Sequence, residues 1–444
     1  MKNFNECAYL LNTSVESNKP LNNACVDTRL LQPGDLFFAL PGDKTDGHSF
    51  LGQAAALGAA GFVASLDYHG STYGVPCIRV PDVLKAIQTL AKHTLEETGA
   101  QVVAVTGSVG KTTTKEFIAT LLQSKFRVMY SPGNSNSQIG LPLSILNNRD
   151  NNPDIALLEM GLSAKGQIAK LVEIAPPDIA VITTTALVHA ENFESLEAIG
   201  LAKAEIFSHP KTRLGILDHE IPNIQEICLA SPCFKVSFST KSSAADYYLM
   251  EEKNCLRIKG QKFSETEITP LRICGKHNYH NFLAAAIAAR HLGMTWEEID
   301  NAARNLNLPK MRLEIVEKSG IVFINDSYNA SEKSVKAALE SIPGSGNKGK
   351  RIAVLGEMLE LGKFSDNCHR EVGKHSLNFV DAVVCYGEKS KPIQEVWLEA
   401  GRPVFFARNF NTLIDNLKSL LKEGDTVLLK GSRSNSLWKV LDEF

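Results

Sequence analysis

One short segment constrains the fold more than any other part of this sequence. The apolar residues 102–105 run directly into Thr-Gly-Ser-Val-Gly-Lys-Thr-Thr at positions 106–113, and apolar residues at helical spacing follow. This order predicts a buried strand, a glycine loop and a helix. Glycines let backbone N–H groups approach phosphate oxygens, and the N-terminus of a helix favours negative charge. We therefore predict a nucleotide-binding site here.

The side chains of the loop predict how the phosphates are held. Lys111 would reach the outer phosphates, and the hydroxyl of Thr112 would bind Mg²⁺. Only two residues, rather than the common four, separate Gly107 from Gly110. An ordinary strand-to-helix turn would explain the glycines but not Lys-Thr-Thr at the start of the helix. The predicted phosphate site comprises Gly107, Ser108, Val109, Gly110, Lys111, Thr112 and Thr113.

Apolar strands alternate with helical patterns along most of the chain, which predicts an α/β protein with parallel sheets. Because 444 residues are too many for one core, we expect three domains. Residues 1–98 form a small α/β domain, residues 99–308 form a central ATP-binding domain around the phosphate loop, and residues 309–444 form a Rossmann-like domain. Within the central domain, residues near 236, 255 and 271 predict more antiparallel strands. The third domain has no G-x-G-x-x-G after its first predicted strand, so we assign it no dinucleotide.

Composition excludes several classes of partner. The formal charge of −2 gives no global electrostatic reason to bind nucleic acid or an anionic membrane surface. The 9 cysteines are scattered and contain no C-x-x-C, which argues against a disulfide framework and a zinc site and fits a reducing cytosol. The N-terminus lacks the apolar core of a signal peptide, and no run predicts a membrane span. We expect a cytoplasmic, soluble protein.

Polar residues at strand ends are the other candidates, because ligands of open α/β sheets gather beyond the carboxyl ends of strands. Glu159 ends a predicted strand and could hold Mg²⁺, or it could be a solvated acid. His189 follows another strand, but Mg²⁺ prefers oxygen ligands and a lone histidine is more often structural or exposed. Lys203 lies in a helical pattern that by itself indicates a surface lysine.

Three further segments carry more polar side chains than their local structure requires. The run at 275–281 places five polar side chains before an apolar helix, and capping would need only one. Asp326 follows the first strand of the third domain and could orient a substrate or a lysine, or cap the next helix. Lys430 follows the last strand and could hold a carboxylate or phosphate, or belong to a basic surface turn. Asp27-Thr28-Arg29 is a turn-like cluster with no role of its own.

With these segments in hand, the chain resembles the ATP-dependent Mur ligases along essentially its full length. The short glycine loop is the form found in that family, and the resemblance continues through residues 133–142, 158–161, 189–193, 202–207, 275–281, 325–330, 355–362 and 430–434, with Arg312. The last three segments, with residues 27–29 and 33–37, resemble the member that adds a dipeptide. The sibling that adds the third residue carries Asp-Asn-Pro-Arg, which is absent from this sequence.

The chain departs from the family pattern in two places. Thr183-Thr184 stands where Thr-Asn or Asn-Asn is usual, and Ser331-Glu332 stands where Asn-Pro is usual. Neither departure removes a predicted metal ligand or the phosphate lysine. They concern local packing and substrate fit.

The resemblance implies ATP-dependent ligation of D-alanyl-D-alanine to UDP-N-acetylmuramoyl-tripeptide through an acyl phosphate, by a monomer that uses Mg²⁺ at two sites and accepts Mn²⁺. The sequence leaves open whether diaminopimelate or lysine is the third residue of the tripeptide. Another ligase of the family, for a different amino acid or for folate glutamylation, is the nearest alternative. A phosphate-loop nucleotidase or switch protein is an alternative of a different class, and it would hydrolyse nucleotide without a peptide substrate.

The resemblance also implies roles for individual residues. Thr112 and Glu159 would serve one Mg²⁺, His189 would serve a second, and Lys203 would be carbamylated, since a carbamate supplies oxygen ligands where an ammonium would be repelled. The nucleotide would also meet Asn278 and Asn281. The implied catalytic residues are Lys111, His189, Lys203, Arg312 and Asp326. The implied substrate-binding residues are Thr28 and Arg29 at the UDP end, with Asp326, Asn329, Lys430 and Ser432 in the third domain.

Overall fold

The computed structural model describes residues 3–42, 45–148, 152–188, 190–229, 231–260, 263–343 and 349–444. The first elements along the chain are α1 (Phe4–Leu10), β1 (Ala24–Cys25), β2 (Leu36–Phe38), α2 (Leu51–Ala56), β3 (Gly61–Ser65), β4 (Cys77–Val80), α3 (Val83–Thr98) and β5 (Gln101–Thr106). Next come α4 (Lys111–Leu122), β6 (Val128–Tyr130), α5 (Gly140–Leu146), β7 (Ile155–Glu159), α6 (Gln167–Ile174), β8 (Ile179–Ile182), α7 (Leu196–Ala204), β9 (Leu214–Asp218) and α8 (Ile224–Leu229).

The remaining elements follow in the same order. They are β10 (Phe234–Ser239), β11 (Tyr247–Glu251), β12 (Leu256–Gly260), β13 (Phe263–Ile268), α9 (His277–His291), α10 (Trp296–Ala303), β14 (Glu314–Lys318), β15 (Ile321–Asn325), α11 (Glu332–Glu340), β16 (Arg351–Gly356), α12 (Ser365–Ser376), β17 (Ala382–Tyr386), α13 (Lys391–Glu399), β18 (Val404–Ala407), α14 (Phe410–Leu420) and β19 (Thr426–Lys430).

The chain divides into two compact units. The first contains Met1–Thr106, Lys125–Ala180 and Glu205–Leu214, and the second contains Gly107–Ser124, Val181–Ala204 and Gly215–Phe444. These units do not follow the predicted domain boundaries at 98/99 and 308/309. Those boundaries remain predictions.

The first unit is built on parallel strands. β1 to β4 form a sheet in sequence order with every neighbouring pair parallel. β7 pairs in parallel with both β5 and β6. The strands of this unit are short and almost entirely buried, which is the pattern of a parallel sheet covered on both faces.

Helix α3 shows how local sequence sets an element of the first unit. Its N-cap, Asp82, accepts a hydrogen bond from the backbone N–H of Lys85, and Gly99 ends the helix in the left-handed conformation at φ 66°. Its apolar face is buried through Val83, Ala86, Ile87, Leu90, Ala91 and Leu95. Full burial of one such leucine contributes roughly 1.5–3 kcal/mol.

The second unit contains antiparallel strands, but only one of them, β12, lies where the sequence predicted one, near residue 255. β11, β12 and β13 are antiparallel neighbours, while β10 pairs with β11 in parallel. The strand predicted near residue 271 is wrong, because residues 271–273 form no strand. Pro270 precedes them without an N–H to donate, and α9 begins only a few residues later. The Leu-Arg-Ile triplet at 271–273 is therefore too confined between Pro270 and α9 to extend the sheet.

The second unit also contains a six-stranded sheet in the order β14-β15-β19-β16-β17-β18. Only the β14–β15 pair is antiparallel, and the other four neighbouring pairs are parallel. Alternate residues of β16 face opposite sides: Ala353 and Leu355 join one apolar cluster, and Ile352 and Val354 join the other. Helices cover both faces, as expected for the predicted Rossmann-like region.

No helix within the described ranges is both long and apolar enough to cross a membrane.

Candidate active site

The glycine loop has the backbone conformation that the sequence predicts. Gly107 has φ 152° and Gly110 has φ 88°, and the latter immediately precedes α4 as its N-cap. A Cβ at Gly107 would lie 1.9 Å from Thr183 Oγ1, and one at Gly110 would lie 2.3 Å from Asn281 Oδ1. Both positions therefore require glycine for space, and Gly110 also requires it for its left-handed backbone.

The segment after β8 holds this loop in place. The backbone N–H of Ser108 donates to the carbonyl of Thr184 at 2.7 Å, and the Ser108 hydroxyl donates to the carbonyl of Ala186 at 3.0 Å. Thr183 Oγ1 donates to the carbonyl of Val109 at 2.6 Å. The loop is therefore shaped before any ligand arrives, and the first N–H groups of α4 point out of the helix start.

Lys111 folds back over this loop. Its Nζ donates to the carbonyl of Gly107 at 2.8 Å and to that of Ser108 at 3.4 Å. The ammonium therefore lies above the N-terminus of α4, where an anion is favoured. This is the position that the predicted phosphate contact requires.

The two asparagines of the 275–281 run join the loop from α9. Asn281 Oδ1 accepts from the Thr114 hydroxyl at 3.3 Å, and Asn281 Nδ2 donates to Asn278 Oδ1 at 3.0 Å. Asn278 Nδ2 in turn donates to the carbonyl of Cys274 at 2.6 Å. The N-cap of α9 is Lys276 and makes no side-chain cap bond, so capping does not explain the run. Helix α9 packs against α4 and brings these amides to the phosphate loop.

Arg312 reaches the start of the same helix. Its Nη2 donates to Thr112 Oγ1 at 3.2 Å, and its guanidinium stacks on the ring of Tyr328 at 4.5 Å. The residues on either side, Met311 and Leu313, have φ 58° and φ 49°. Left-handed backbone at such side chains costs roughly 1–2 kcal/mol each, so the surrounding contacts hold Arg312 in place against strain.

Asp326 and Lys430 form an ion pair near the guanidinium of Arg312. Lys430 Nζ lies 2.6 Å from Asp326 Oδ2 and donates to the carbonyl of Asn329 at 2.8 Å. Asp326 Oδ1 accepts from the backbone N–H of Leu313 at 3.2 Å. Lys430 is 4% exposed, which rules out a basic surface turn. The N-cap of α11 is Ser331, so Asp326 does not cap that helix.

Lys203 is not the surface lysine that its helical pattern indicates. It is buried within α7, at 4% exposure. Burial, reinforced by the nearby charge of Lys111, holds the pKa of Lys203 well below its usual range. The structure thus brings Lys203 close to the phosphate lysine, with its amine biased toward the neutral form.

Glu159 lies at the end of β7 in the first unit. It is 1% exposed, and its Oε1 accepts from Asn136 Nδ2 at 2.7 Å. Its backbone N–H donates to the Ser131 hydroxyl at 3.2 Å. A solvated strand-end acid is therefore excluded. His189, the other predicted metal ligand, lies outside the described residues.

The predicted residues at the UDP end also lie in the first unit. Thr28 is buried and donates its hydroxyl proton to Gln53 Oε1 at 2.9 Å. Arg29 is exposed and binds Asp27 through Nε at 2.9 Å. Hydrogen bonding from Arg29 lowers the pKa of Asp27 to about 2. The pair leaves the guanidinium at the surface.

The last two predicted residues belong to the second unit. Ser432 is buried and its Oγ accepts from the backbone N–H of Leu359 at 3.0 Å. Asn329 is exposed, and its Oδ1 accepts from the next backbone N–H in the chain, that of Ala330, at 2.9 Å. Ser432 therefore shapes the loop after β19, whereas the amide of Asn329 faces outward.

A cavity of about 640 Å³ gathers much of the predicted site within the second unit. Its wall includes Val109, Gly110 and Thr113 from the loop and α4, and Asn278 and Asn281 from α9. It also includes Arg312, Asp326 and Lys430. Cavities of this size hold drug-sized ligands and cofactors. Residues from widely separated parts of the chain thus meet around one space.

Several residues of this wall were not predicted from the sequence. Asp218 and Glu220 lie at the end of β9 and just beyond it, His280 lies in the first turn of α9, and Lys333 lies in α11. Only His280 carried a signal, since it belongs to the run with more polar side chains than capping needs. Lys333 follows directly on the departure from the family pattern at 331–332.

Comparison with known proteins agrees with this geometry. Three family models match in chain order: the "Mur ligase family, catalytic domain" over residues 22–95, the "Mur ligase middle domain" over 105–289, and the "Mur ligase, glutamate ligase domain" over 311–433. The UDP-N-acetylmuramoyl-tripeptide–D-alanyl-D-alanine ligase of Bacillus subtilis is 37% identical over 435 residues, which cover 95% of this chain and 93% of that protein.

Solved structures are similar over the same length. The MurF ligase of Thermotoga maritima in complex with ADP is 28% identical with a TM-score of 0.80, and the match covers 97% of this chain and 98% of that one. MurF from Acinetobacter baumannii has a TM-score of 0.86 at 24% identity, over 100% and 98% of the two chains, and supports the fold. The predicted three-domain α/β fold class is confirmed. By these matches, the chain belongs to the Mur ligase family.

Proposed function

We propose that this protein is an ATP-dependent peptide ligase that joins D-alanyl-D-alanine to UDP-N-acetylmuramoyl-tripeptide. The observation that carries the proposal is the 37% identity to a ligase of that name over nearly the whole chain. The site supports it, because one cavity adjoins the phosphate loop, the α9 amides and the Asp326–Lys430 pair. A nucleotidase reaction would leave the Asp326–Lys430 pair without a role.

ATP is proposed to bind with its phosphates at the start of α4. The glycine loop offers backbone N–H groups, and Lys111 lies over it within 2.8 Å of a loop carbonyl. Phosphate would draw the lysine from carbonyl oxygens to stronger, charged acceptors. Arg312, bonded to Thr112 at 3.2 Å, adds a second cation at the same place. The nucleotide complex of the Thermotoga maritima structure supports this use of the fold.

The chain's donor groups fit the implied Mg²⁺. The Thr112 hydroxyl and the Glu159 carboxylate are both buried oxygen donors, the ligand type that Mg²⁺ prefers. We propose that Thr112 and Glu159 hold one ion and that His189 and carbamylated Lys203 hold a second, with Mn²⁺ as an acceptable substitute. When bound, the ions would neutralise charge on the transferring phosphoryl group.

Carbamylation of Lys203 would follow from its burial. A neutral amine can attack CO₂, forming an N–C bond and releasing one proton to solvent, to give an anionic carbamate. The lowered pKa of Lys203 favours the neutral amine. The product would also replace a desolvated positive charge by a negative one beside Lys111, reversing the sign of their interaction.

The ligation would proceed by activation of the tripeptide's terminal carboxylate. This carboxylate would attack the γ-phosphate and release ADP, and the amine of D-alanyl-D-alanine would then displace phosphate from the acyl phosphate. Lys111 and Arg312 would bind and orient the phosphoryl oxygens. Asp326 and Asn329 would position the incoming dipeptide, with Lys430 fixing both through its bonds to the Asp326 carboxylate and the Asn329 carbonyl. Ser432 would help to position the same dipeptide by holding the loop after β19.

Thr28 and Arg29 are proposed to meet the UDP end of the acceptor. Arg29 carries an exposed guanidinium whose positive charge suits a diphosphate, although its Nε and Nη2 donate to Asp27 in this structure. We also propose a cytoplasmic monomer with no nucleic-acid or membrane partner. All nine cysteines are free thiols, which is typical of a reducing compartment, and ATP is supplied there.

The direct test measures ADP release by the purified protein. We expect release only when D-alanyl-D-alanine and a UDP-muramoyl-tripeptide are both present, and parallel assays with diaminopimelate and lysine tripeptides identify the third residue. Sedimentation of the same sample tests the monomer. ATP hydrolysis at the same rate without any peptide substrate would instead identify a nucleotidase and overturn the proposal.

A further inference from the structure

Three side chains with metal-binding atoms meet on the wall of this cavity, and none of them is among the predicted site residues. Asp218 ends β9, Glu220 lies two residues further on, and His280 projects from the first turn of α9. One ligand atom from each lies within 4.8 Å of the other two, and Asp218 Oδ1 lies 3.3 Å from His280 Nε2. Ligands at about 2.0–2.2 Å from a common ion stand at most about 4.4 Å apart, so small side-chain shifts would close the group around one ion.

The contacts behind the three side chains fix their directions. Ser239 is fully buried, and its hydroxyl oxygen accepts from the backbone N–H groups of Lys241 and Ser242, both at 2.8 Å. Its single proton is therefore directed to Glu220 Oε1, at 2.5 Å. Bonds of this kind to a ligating carboxylate are what orient metal ligands in proteins. Glu220 is thus held as an acceptor.

The other two ligands are also held. Asp218 is 1% exposed, and its Oδ1 accepts from the backbone N–H of Glu220 at 3.0 Å. The ring of His280 packs on Phe238 with 4.6 Å between ring centroids. The carboxylates and the imidazole therefore converge on one point without rearrangement of the backbone.

Two carboxylates share this point at close range. One oxygen of each carboxylate lies within 4.8 Å of the other, so two negative charges are placed close together. The nearby ammonium of Lys333 is directed to a neutral group, since its Nζ donates to Thr184 Oγ1 at 2.6 Å. A divalent ion would offset both carboxylates at once.

We propose that Asp218, Glu220 and His280 form a divalent-cation site distinct from the Mg²⁺ ligands Thr112 and Glu159. One imidazole nitrogen and two carboxylates favour transition-metal ions such as Zn²⁺ or Co²⁺ over Mg²⁺, because Mg²⁺ prefers oxygen ligands only. The Lys333 ammonium lies close enough to be attracted by both carboxylates, so it competes with the ion for the same charge.

The test is a titration of the nucleotide-free full chain with Co²⁺, whose visible spectrum reports ligation by nitrogen and oxygen. We expect His280→Gln to abolish one bound Co²⁺ equivalent or the spectral signature of its nitrogen ligand. Asp218→Asn and Glu220→Gln should each weaken the affinity for that equivalent at least about 10-fold. Lys333→Met should bind that equivalent several-fold more tightly. Glu220 is exposed to the cavity, so its variant tests the site even if Asp218→Asn fails to fold.

His375→Gln is the matched control, since His375 Nε2 lies 3.0 Å from a single carboxylate, that of Glu340, among the residues that the structure describes. It should leave the Co²⁺ titration unchanged. Identical Co²⁺ stoichiometry and affinity in wild type, Glu220→Gln and His280→Gln would overturn the proposal, as would the absence of any Co²⁺ equivalent with nitrogen ligation in wild type. The titration needs neither ATP nor peptide, so its failure would leave the proposed ligase activity intact.

Discussion

Two buried lysines in the second unit have opposite surroundings. Lys430 sits in an ion pair with Asp326 and also donates to the carbonyl of Asn329. Lys203 is equally buried, but its main charged neighbour is another cation, Lys111. Burial lowers the pKa of both amines, and only at Lys430 does a carboxylate oppose that effect.

The difference separates two uses of the same side chain. A lysine paired with a carboxylate stays charged and organises its neighbours, as Lys430 organises Asp326 and the chain at Asn329. A desolvated lysine beside a second cation is biased toward a neutral amine, which is a nucleophile. We therefore propose that Lys430 positions its neighbours and that Lys203 is covalently modified.

Loss of Lys111 should have the largest effect on ligation, and it also changes the surroundings of Lys203. Lys111→Ala removes the phosphate contact and also the cation beside Lys203. We expect kcat/KM for ligation to fall roughly 10³-fold, as for loss of one strong transition-state donor, with an unchanged circular dichroism spectrum. Lys85→Ala, on the surface of α3, is the control. Near-normal ligation by Lys111→Ala would remove the loop from the mechanism.

Lys203→Ala should reduce ligation by roughly 10²- to 10³-fold, because the carbamate oxygens are lost. Short-chain carboxylates should restore part of the activity by filling the vacated space with an anion. The same carboxylates should give Lys111→Ala no rescue. If Lys203→Ala were fully active without them, Lys203 would have no catalytic modification.

The free energy of unfolding should fall more on loss of Lys430 than on loss of Lys203. Lys430→Met leaves the Asp326 carboxylate buried without its partner, so we expect a loss of about 3–5 kcal/mol. Lys203→Met, in CO₂-depleted buffer, should cost little or stabilise, because it removes a desolvated amine. Urea unfolding of the two variants measures this difference. Asp326→Asn combined with Lys430→Met should recover part of the loss, and strictly additive losses would contradict the pairing.

The smallest expected effect is on the pH dependence of unfolding. The pKa of Lys203 in the folded state lies below 10.5, the ordinary value for a solvated lysine, so the unfolded chain binds more protons between the two values. Stability should therefore gain up to about 1.4 kcal/mol per pH unit as pH rises through that window toward 10.5. Lys203→Met should lose this gain relative to wild type. A parallel pH profile for the two proteins would show that the folded state keeps Lys203 protonated.

Local patterns were sufficient for part of this site. The strand, glycine loop and helix at 102–122 were predictable because close phosphate approach needs glycine and a helix start within a few residues. Strand ends marked Glu159, Asp326 and Lys430, although their burial and their alternatives could be decided only in three dimensions.

Contacts between distant segments were not predictable in the same way. Nothing local distinguishes Lys203 from a surface lysine, because its burial depends on what packs over α7. The cavity brings α9 together with Asp218, Glu220 and Lys333, and no local pattern in the sequence marks these three residues as neighbours. The missed strands β11 and β13 likewise depend on antiparallel partners rather than on their own apolar content.

The most direct test of the contrast between the lysines is ¹³C NMR of the protein equilibrated with ¹³C-bicarbonate. We predict one carbamate resonance in wild type that is kept in Lys430→Met and absent from Lys203→Met. A carbamate resonance that persists in Lys203→Met, or none in wild type, would contradict the assignment of Lys203 to covalent modification.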